Sequence, residues 1–210
     1  MIKVGITGGI GSGKSFVCDL IAKKFNVLVY NSDIRGRILM ENNPEVICNI
    51  IKTFGPDSYF YNNKNSKPFT LNTEKFKELL FVNEDARNTM NSIIRNFVRK
   101  EFESFCELFK TDPFILFESA ILFEPIKITD QINKFTDFNI LVTATKKLRI
   151  ERLLKRGLTE EDIENRIKCQ PAEEWNKQYA NYVIENYGDQ NKLIKDINNI
   201  YKKILKYEKD

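Results

Sequence analysis

The sequence predicts an α/β protein whose five-stranded parallel sheet carries helices on both faces. Three observations predict it. Short apolar runs recur along the chain, and the stretches between them space their apolar residues as helices do. The first run ends in a glycine-rich turn that opens a helix pattern. A long segment after the second run keeps helical periodicity, which marks it as an insert in the sheet.

Lys3 to Thr7 is the first expected strand, and Ser15 to Phe25 then places Phe16, Val17, Leu20, Ile21 and Phe25 on one helical face. Val27 to Tyr30 is the second strand, ending at Asn31-Ser32-Asp33. The insert, about 34–110, shows three stripes. Val46, Ile47, Ile50, Ile51 and Phe54 form the first; Phe76, Leu79 and Leu80 the second; Met90, Ile93, Ile94, Phe97, Val98, Phe105 and Leu108 the third. The polar loop Asn62 to Pro68 divides the first two. Such a segment is too long for a simple crossover and too apolar for a linker, so a helical substrate-binding subdomain is expected.

Phe114 to Phe117, Asn139 to Val142 and Tyr182 to Glu185 complete the sheet. Between the last two, about 145–170 forms a basic helical hairpin carrying Lys146, Lys147, Arg149, Arg152, Lys155, Arg156, Arg166 and Lys168. Thr159 and Asp162 have the spacing of a capping box at its second helix. Ile194, Ile197, Ile200, Tyr201, Ile204 and Leu205 mark a C-terminal amphipathic helix. Residues 1–210 are thus expected to form a single domain with the insert and the hairpin set into its core.

Composition narrows the function classes. With 210 residues, 42% hydrophobic and 30% charged, the chain can bury one sizeable core. The net charge of +4 comes from scattered Lys and Arg, which suits a polyanionic small molecule and argues against a nucleic-acid partner. Four cysteines without a C-x-x-C pair, and no histidine, exclude zinc sites built from those ligands. Any general base near neutral pH is then most simply a carboxylate. No leader pattern and no window of about 18 apolar residues is seen, so a cytoplasmic protein with idle thiols and no membrane partner is expected, as a monomer or weak oligomer.

Gly8-Gly9-Ile10-Gly11-Ser12-Gly13-Lys14-Ser15 matches G-x-x-x-x-G-K-[ST] between a strand and a helix, the P-loop context. Backbone N–H groups of Gly9, Ile10, Gly11, Ser12 and Gly13 can wrap phosphate oxygens there, and the helix N-terminus adds its dipole. Lys14 is expected at the β and γ phosphates of ATP and Ser15 on Mg2+, with Phe16 adjoining. Asp33, past the second strand, can accept a hydrogen bond from an acceptor hydroxyl or can cap the helix that follows. Arg37, one turn on, can bind an acceptor phosphate. Arg152 and Arg156, four apart, are expected on one helix face, closing over the phosphates.

These residues, with Phe54-Gly55, Ile121-Leu122-Phe123-Glu124, Gln170 and Ile184-x-Asn186-x-Gly188, resemble the dephospho-CoA kinase family in order over nearly the whole chain. The resemblance implies the P-loop nucleoside triphosphate hydrolase fold, with ATP and dephospho-CoA as partners and Mg2+ as cofactor. It implies a phosphoryl transfer to the ribose 3'-hydroxyl in which Asp33, Lys14 and Arg152 are catalytic. Asp33, Arg37 and Glu124 would hold the acceptor, the insert would be the CoA-binding subdomain, and the hairpin would be a lid. Asn31, Phe16 and Asn181 depart from the family's usual Asp, Thr and Asp, and Arg95-Asn96 replaces a typical His-Pro. Glu118-Ser119-Ala120 stands for Asp-x-Pro and leaves an acid, Glu118, that can support magnesium through water.

Another small-molecule P-loop kinase, such as one acting on nucleoside monophosphates, would share the loop and lid. A non-catalytic nucleotide-binding protein or a GTP switch is the alternative from another class. Asp33-Ile34-Arg35-Gly36 has the form D-x-x-G, but it follows the P-loop too soon, and Asn133-Lys134 lacks the Asp that N-K-x-D needs at Thr136.

Overall fold

A computed structural model describes residues 1–62, 68–123 and 135–207. In chain order the elements are β1 (Ile2–Thr7), α1 (Lys14–Phe25), β2 (Val29–Asn31), α2 (Ser32–Asn42), α3 (Pro44–Phe54), β3 (Tyr59–Tyr61), β4 (Phe69–Leu71), α4 (Thr73–Val82) and α5 (Glu84–Leu108). Then follow β5 (Phe114–Glu118), β6 (Phe138–Thr143), α6 (Lys146–Leu154), α7 (Glu160–Lys168), α8 (Glu173–Tyr179), β7 (Tyr182–Glu185) and α9 (Gln190–Leu205). The chain divides into two compact units, Met1–Asn31 with Phe109–Asp210, and Ser32–Leu108.

The first unit is built on a five-stranded sheet of order β2-β5-β1-β6-β7. Every neighbouring pair is parallel, so the strands share one carboxyl end. Burial explains the near-continuous apolar strands: all positions of β5 and β6 are buried. On one face Val4, Ile6, Leu116, Ile140 and Ile184 pack against Val17 and Ile21 of α1 and Leu193, Ile197, Ile200 and Ile204 of α9. Phe25 stacks on Tyr201, ring centroids 3.8 Å apart, and so ties the two helices together. Near α8, Trp175 Nε1 donates to the Phe123 carbonyl oxygen at 2.5 Å and the rings of Phe123 and Tyr179 meet at 5.5 Å. The strand order reverses beside β1, the topological switch point where α/β sheets bind ligands, and the P-loop leaves from it.

The second unit packs four helices and a hairpin. Gly36 lets α2 approach α5 closely, since a Cβ there would lie 3.1 Å from Ile94 Cγ2. Arg35 and Glu101 add a forked ion pair between the same helices, 2.5 and 2.9 Å. The helical insert also carries a short hairpin that its helical spacing does not reveal. Tyr59–Tyr61 and Phe69–Leu71 pair antiparallel, with Tyr61 opposite Phe69 and their rings 5.3 Å apart. Aromatic residues favour such a pleated, half-buried ribbon over helix. The third stripe also shifts phase: α5 buries Met90, Val98, Phe102 and Cys106, while Leu108 is 78% exposed.

Candidate active site

Positive φ at Gly11 (79°) and Gly13 (89°) lets the P-loop turn back on itself, a backbone form that side chains disfavour. A Cβ on Gly13 would also run into Asn186 Nδ2. The loop hands over directly to α1 at Lys14, so the N–H groups of the first helical turn, which have no partner within the helix, lie at the end of the loop and suit an anion.

Three side chains converge on one buried carboxylate. Glu118, at the carboxyl end of β5, is 3% exposed. Lys14 Nζ lies 3.0 Å from its Oε1, Ser15 Oγ donates to the same oxygen at 2.6 Å, and Asn31 Nδ2 donates to Oε2 at 2.7 Å. The ends of β2 and β5 and the start of α1 thus assemble a charged cluster at the sheet's switch point. A buried carboxylate is costly unless paired and hydrogen-bonded, and here both oxygens are satisfied. One turn along α1, burial pushes the Cys18 thiol far up, with the Glu118 charge adding to it, so Cys18 is an inert core residue and not a nucleophile. The four cysteines are free thiols.

The base of the hairpin grips the opposite edges of the loop. Arg149 Nε donates to the Ile10 carbonyl oxygen at 2.8 Å, while the Ile10 N–H donates to Gln170 Oε1 at 2.7 Å. Burial lowers the Arg149 pKa, and the Glu173 carboxylate acts the other way. Arg152 reaches the carbonyl oxygens of Gly11 and Ser12 at 3.2 and 3.0 Å, and that of Asn186 at 3.0 Å. Asn186 Nδ2 also donates to the Ser12 carbonyl oxygen, at 2.8 Å. Lysine cannot reproduce this fork. Arg152→Lys is therefore expected to weaken ATP binding roughly tenfold, the loss of about 1.5 kcal/mol from hydrogen bonds made by a charged donor. Calorimetric titration of ATP into the variant measures this.

The expected pairing of Arg152 with Arg156 on one helix face is corrected. The helix ends at Leu154, and Gly157, with φ of 83°, turns the chain away, so exposed Arg156 stands past the last helical turn. Thr159 does cap α7, its side chain accepting from the Asp162 N–H at 3.1 Å. Asp33 lies inside the first turn of α2, which starts at Ser32, so it is not the N-cap residue. It and Arg37 are both exposed, one turn apart on α2. Phe16 is 48% exposed beside the loop. Glu124 lies outside the described residues, as do Asn133 and Lys134. Sequence reasoning missed the grip of Arg149 on the loop and the anchoring of Glu118 by Asn31. A polar residue ending a strand was the available signal for Asn31, and spacing three before Arg152 for Arg149.

A parallel sheet with a P-loop at its switch point, and a lysine, a hydroxyl and an acid gathered there, defines a P-loop phosphotransferase. A profile of the dephospho-CoA kinase family matches residues 2–192. The dephospho-CoA kinase of Chlorobium chlorochromatii is 32% identical over 96% of this chain and 93% of its own length. The chain belongs to the dephospho-CoA kinase family. Its fold is shared with a crystal structure from Thermus thermophilus (TM-score 0.74, 23% identity, covering 96% of this chain and 97% of that one). It is also shared with the dephospho-CoA kinase of Campylobacter jejuni (TM-score 0.62, 18% identity, 97% of each chain).

Proposed function

We propose that the chain transfers the γ-phosphoryl group of ATP to the ribose 3'-hydroxyl of dephospho-CoA, giving coenzyme A and ADP. The observation that carries this reading is the convergence of Lys14, Ser15 and Asn31 on Glu118 beside the P-loop. In the reaction the acceptor oxygen bonds to the γ phosphorus, the bond from that phosphorus to the β-γ bridging oxygen breaks, and the hydroxyl proton passes to a base. Asp33, two residues along the chain from Asn31, is that base. Lys14 leaves Glu118 for the β and γ phosphates, and the loop N–H groups hold the remaining oxygens. Arg152 keeps the loop's carbonyl oxygens turned away from the anion, and Arg156 supplies further positive charge. Arg37 and Glu124 contact the acceptor, and the second unit is its subdomain.

Magnesium takes one or two protein oxygens and keeps several waters. The Ser15 hydroxyl and the Glu118 carboxylate, with oxygens 2.6 Å apart, are a hard donor set of that kind. When bound, the cation would offset charge on the phosphates. Glu118→Gln is expected to raise the magnesium concentration for half-maximal rate at least about tenfold, as losses around metal sites do. A magnesium titration of initial rates checks it. No helix among the described residues is long and apolar enough to cross a membrane. The free thiols support a reducing cytosol as the site of action.

The experiment is a panel of acceptors, dephospho-CoA and nucleoside monophosphates among them, incubated with purified protein, ATP and magnesium. ADP release together with dephospho-CoA heavier by one phosphoryl group is the expected result. Phosphorylation of another acceptor while dephospho-CoA stays unchanged rejects the reading.

A further inference from the structure

Arg149, on α6, meets the P-loop at three successive residues. Its Nε donates to the Ile10 carbonyl oxygen at 2.8 Å. Its guanidinium lies over Gly9, where a Cβ would stand 2.5 Å from Nη2 and 2.7 Å from Cζ. Its backbone closes on Gly11, where a Cβ would lie 2.7 Å from the Arg149 carbonyl oxygen. Gly11 has a positive φ and Gly9 does not, so at Gly9 a side chain would lack room and not conformational freedom. From the other side the Ile10 N–H donates to Gln170 Oε1 at 2.7 Å, so both backbone groups of Ile10 are held by side chains from the base of the hairpin.

The carbonyl and the N–H of a planar trans peptide point to opposite sides. Holding the Ile10 oxygen therefore turns the Gly11 N–H away from the Arg149 side chain. Holding the Ile10 N–H turns the Gly9 oxygen the other way, and that oxygen accepts from the Ser12 N–H at 3.0 Å across the loop. Arg152, three residues on, holds the next two carbonyl oxygens, those of Gly11 and Ser12. Two side chains on one face of α6 thus fix three consecutive peptides of the anion-binding turn. The Glu173 carboxylate acts on the Arg149 guanidinium and offsets its charge, so the hydrogen bond is what this arginine offers the loop. We infer that Arg149 is a positioning residue for the triphosphate: by holding the Ile10 oxygen its Nε aims the Gly11 N–H at the phosphates, and the site draws on that donor and not on the positive charge. The inference rests on the P-loop as the ATP site and is independent of the acceptor.

Glutamine carries its amide nitrogen on Cδ, where arginine carries Nε, so it offers an uncharged donor in the place of the one that holds Ile10. Methionine fills similar space with no donor. Arg149→Met is therefore expected to weaken the binding of ATP and of inorganic tripolyphosphate alike, roughly tenfold by calorimetric titration. Arg149→Gln is expected to stay within about threefold of wild type for both ligands, a rescue that a contact made through charge would not show. Should the methionine variant fail to fold, Gly9→Ala reads the same contact from the loop: its methyl displaces the guanidinium and weakens both ligands, but costs little in the Arg149→Gln background. Arg149→Gln binding as weakly as Arg149→Met overturns the inference, as does wild-type affinity in Arg149→Met. A loss for ATP with tripolyphosphate unaffected overturns it too, by placing Arg149 at the nucleoside, and so does a Gly9→Ala loss as large in the Arg149→Gln background as alone. No binding of ATP by wild type sinks the P-loop reading together with this one, whereas the expected binding pattern without transfer to dephospho-CoA sinks the acceptor reading only.

Discussion

Lys14→Ala is expected to lower turnover at least about a hundredfold, because the lysine is proposed as the loop's charged contact with the phosphates that take on charge during transfer. The structure adds a second consequence. Lys14 Nζ is the cation facing Glu118 at 3.0 Å, and both side chains are largely buried, 11% and 4% exposed. Removing one member of such a pair leaves a buried carboxylate with less compensation and destabilises the fold, by about 3–5 kcal/mol in comparable cases. Asn31 and Ser15 still donate to Glu118, so the cost here should fall at or below the lower end. The two consequences separate in a double variant. Lys14→Ala with Glu118→Gln should regain thermal stability by calorimetry while turnover at saturating magnesium stays well below that of Glu118→Gln alone. Recovery of turnover along with stability would show that the lysine acts on the fold and not on the phosphates.

Asp33→Asn is the second large expected effect, again at least about a hundredfold in kcat, with little change in the KM for ATP. The carboxamide keeps the size of the carboxylate and can still accept a hydrogen bond. What it cannot do is take the proton of the acceptor hydroxyl at neutral pH. In a chain without histidine a carboxylate is the simplest substitute. Asp33 also sits in the first turn of α2, where a negative charge stabilises the helix by about 0.3–1 kcal/mol. Near-normal turnover, with a small drop in melting temperature, would leave Asp33 with that structural role alone.

The strands of the main sheet were legible because a strand buried on both faces must be apolar at nearly every position, as Phe114 to Phe117 and Asn139 to Val142 largely are. The P-loop was legible because its glycines answer to backbone geometry that few other residues adopt, as at Gly11 and Gly13. The hairpin of the second unit was not: three-residue strands are too short to show a period of two against the helical stripes around them. The shared face of Arg152 and Arg156 was misread because a four-residue spacing means a shared face only while the helix lasts. Gly157 was the visible stop signal. The cluster on Glu118 joins residues 87 and 103 positions apart in the chain. Only the sheet order β2-β5-β1 brings them together, and no local pattern encodes that adjacency. The same holds for Ile10 and Gln170, whose contact spans 160 positions.

The most direct measurement is phosphorus NMR of the product made from dephospho-CoA, ATP and magnesium by the wild-type protein. A new phosphomonoester resonance, coupled to the proton on the 3' carbon of the ribose and growing in step with ADP, is the predicted result. ATP turned over to ADP and free phosphate with no such resonance, or a phosphate coupled elsewhere, would contradict the account.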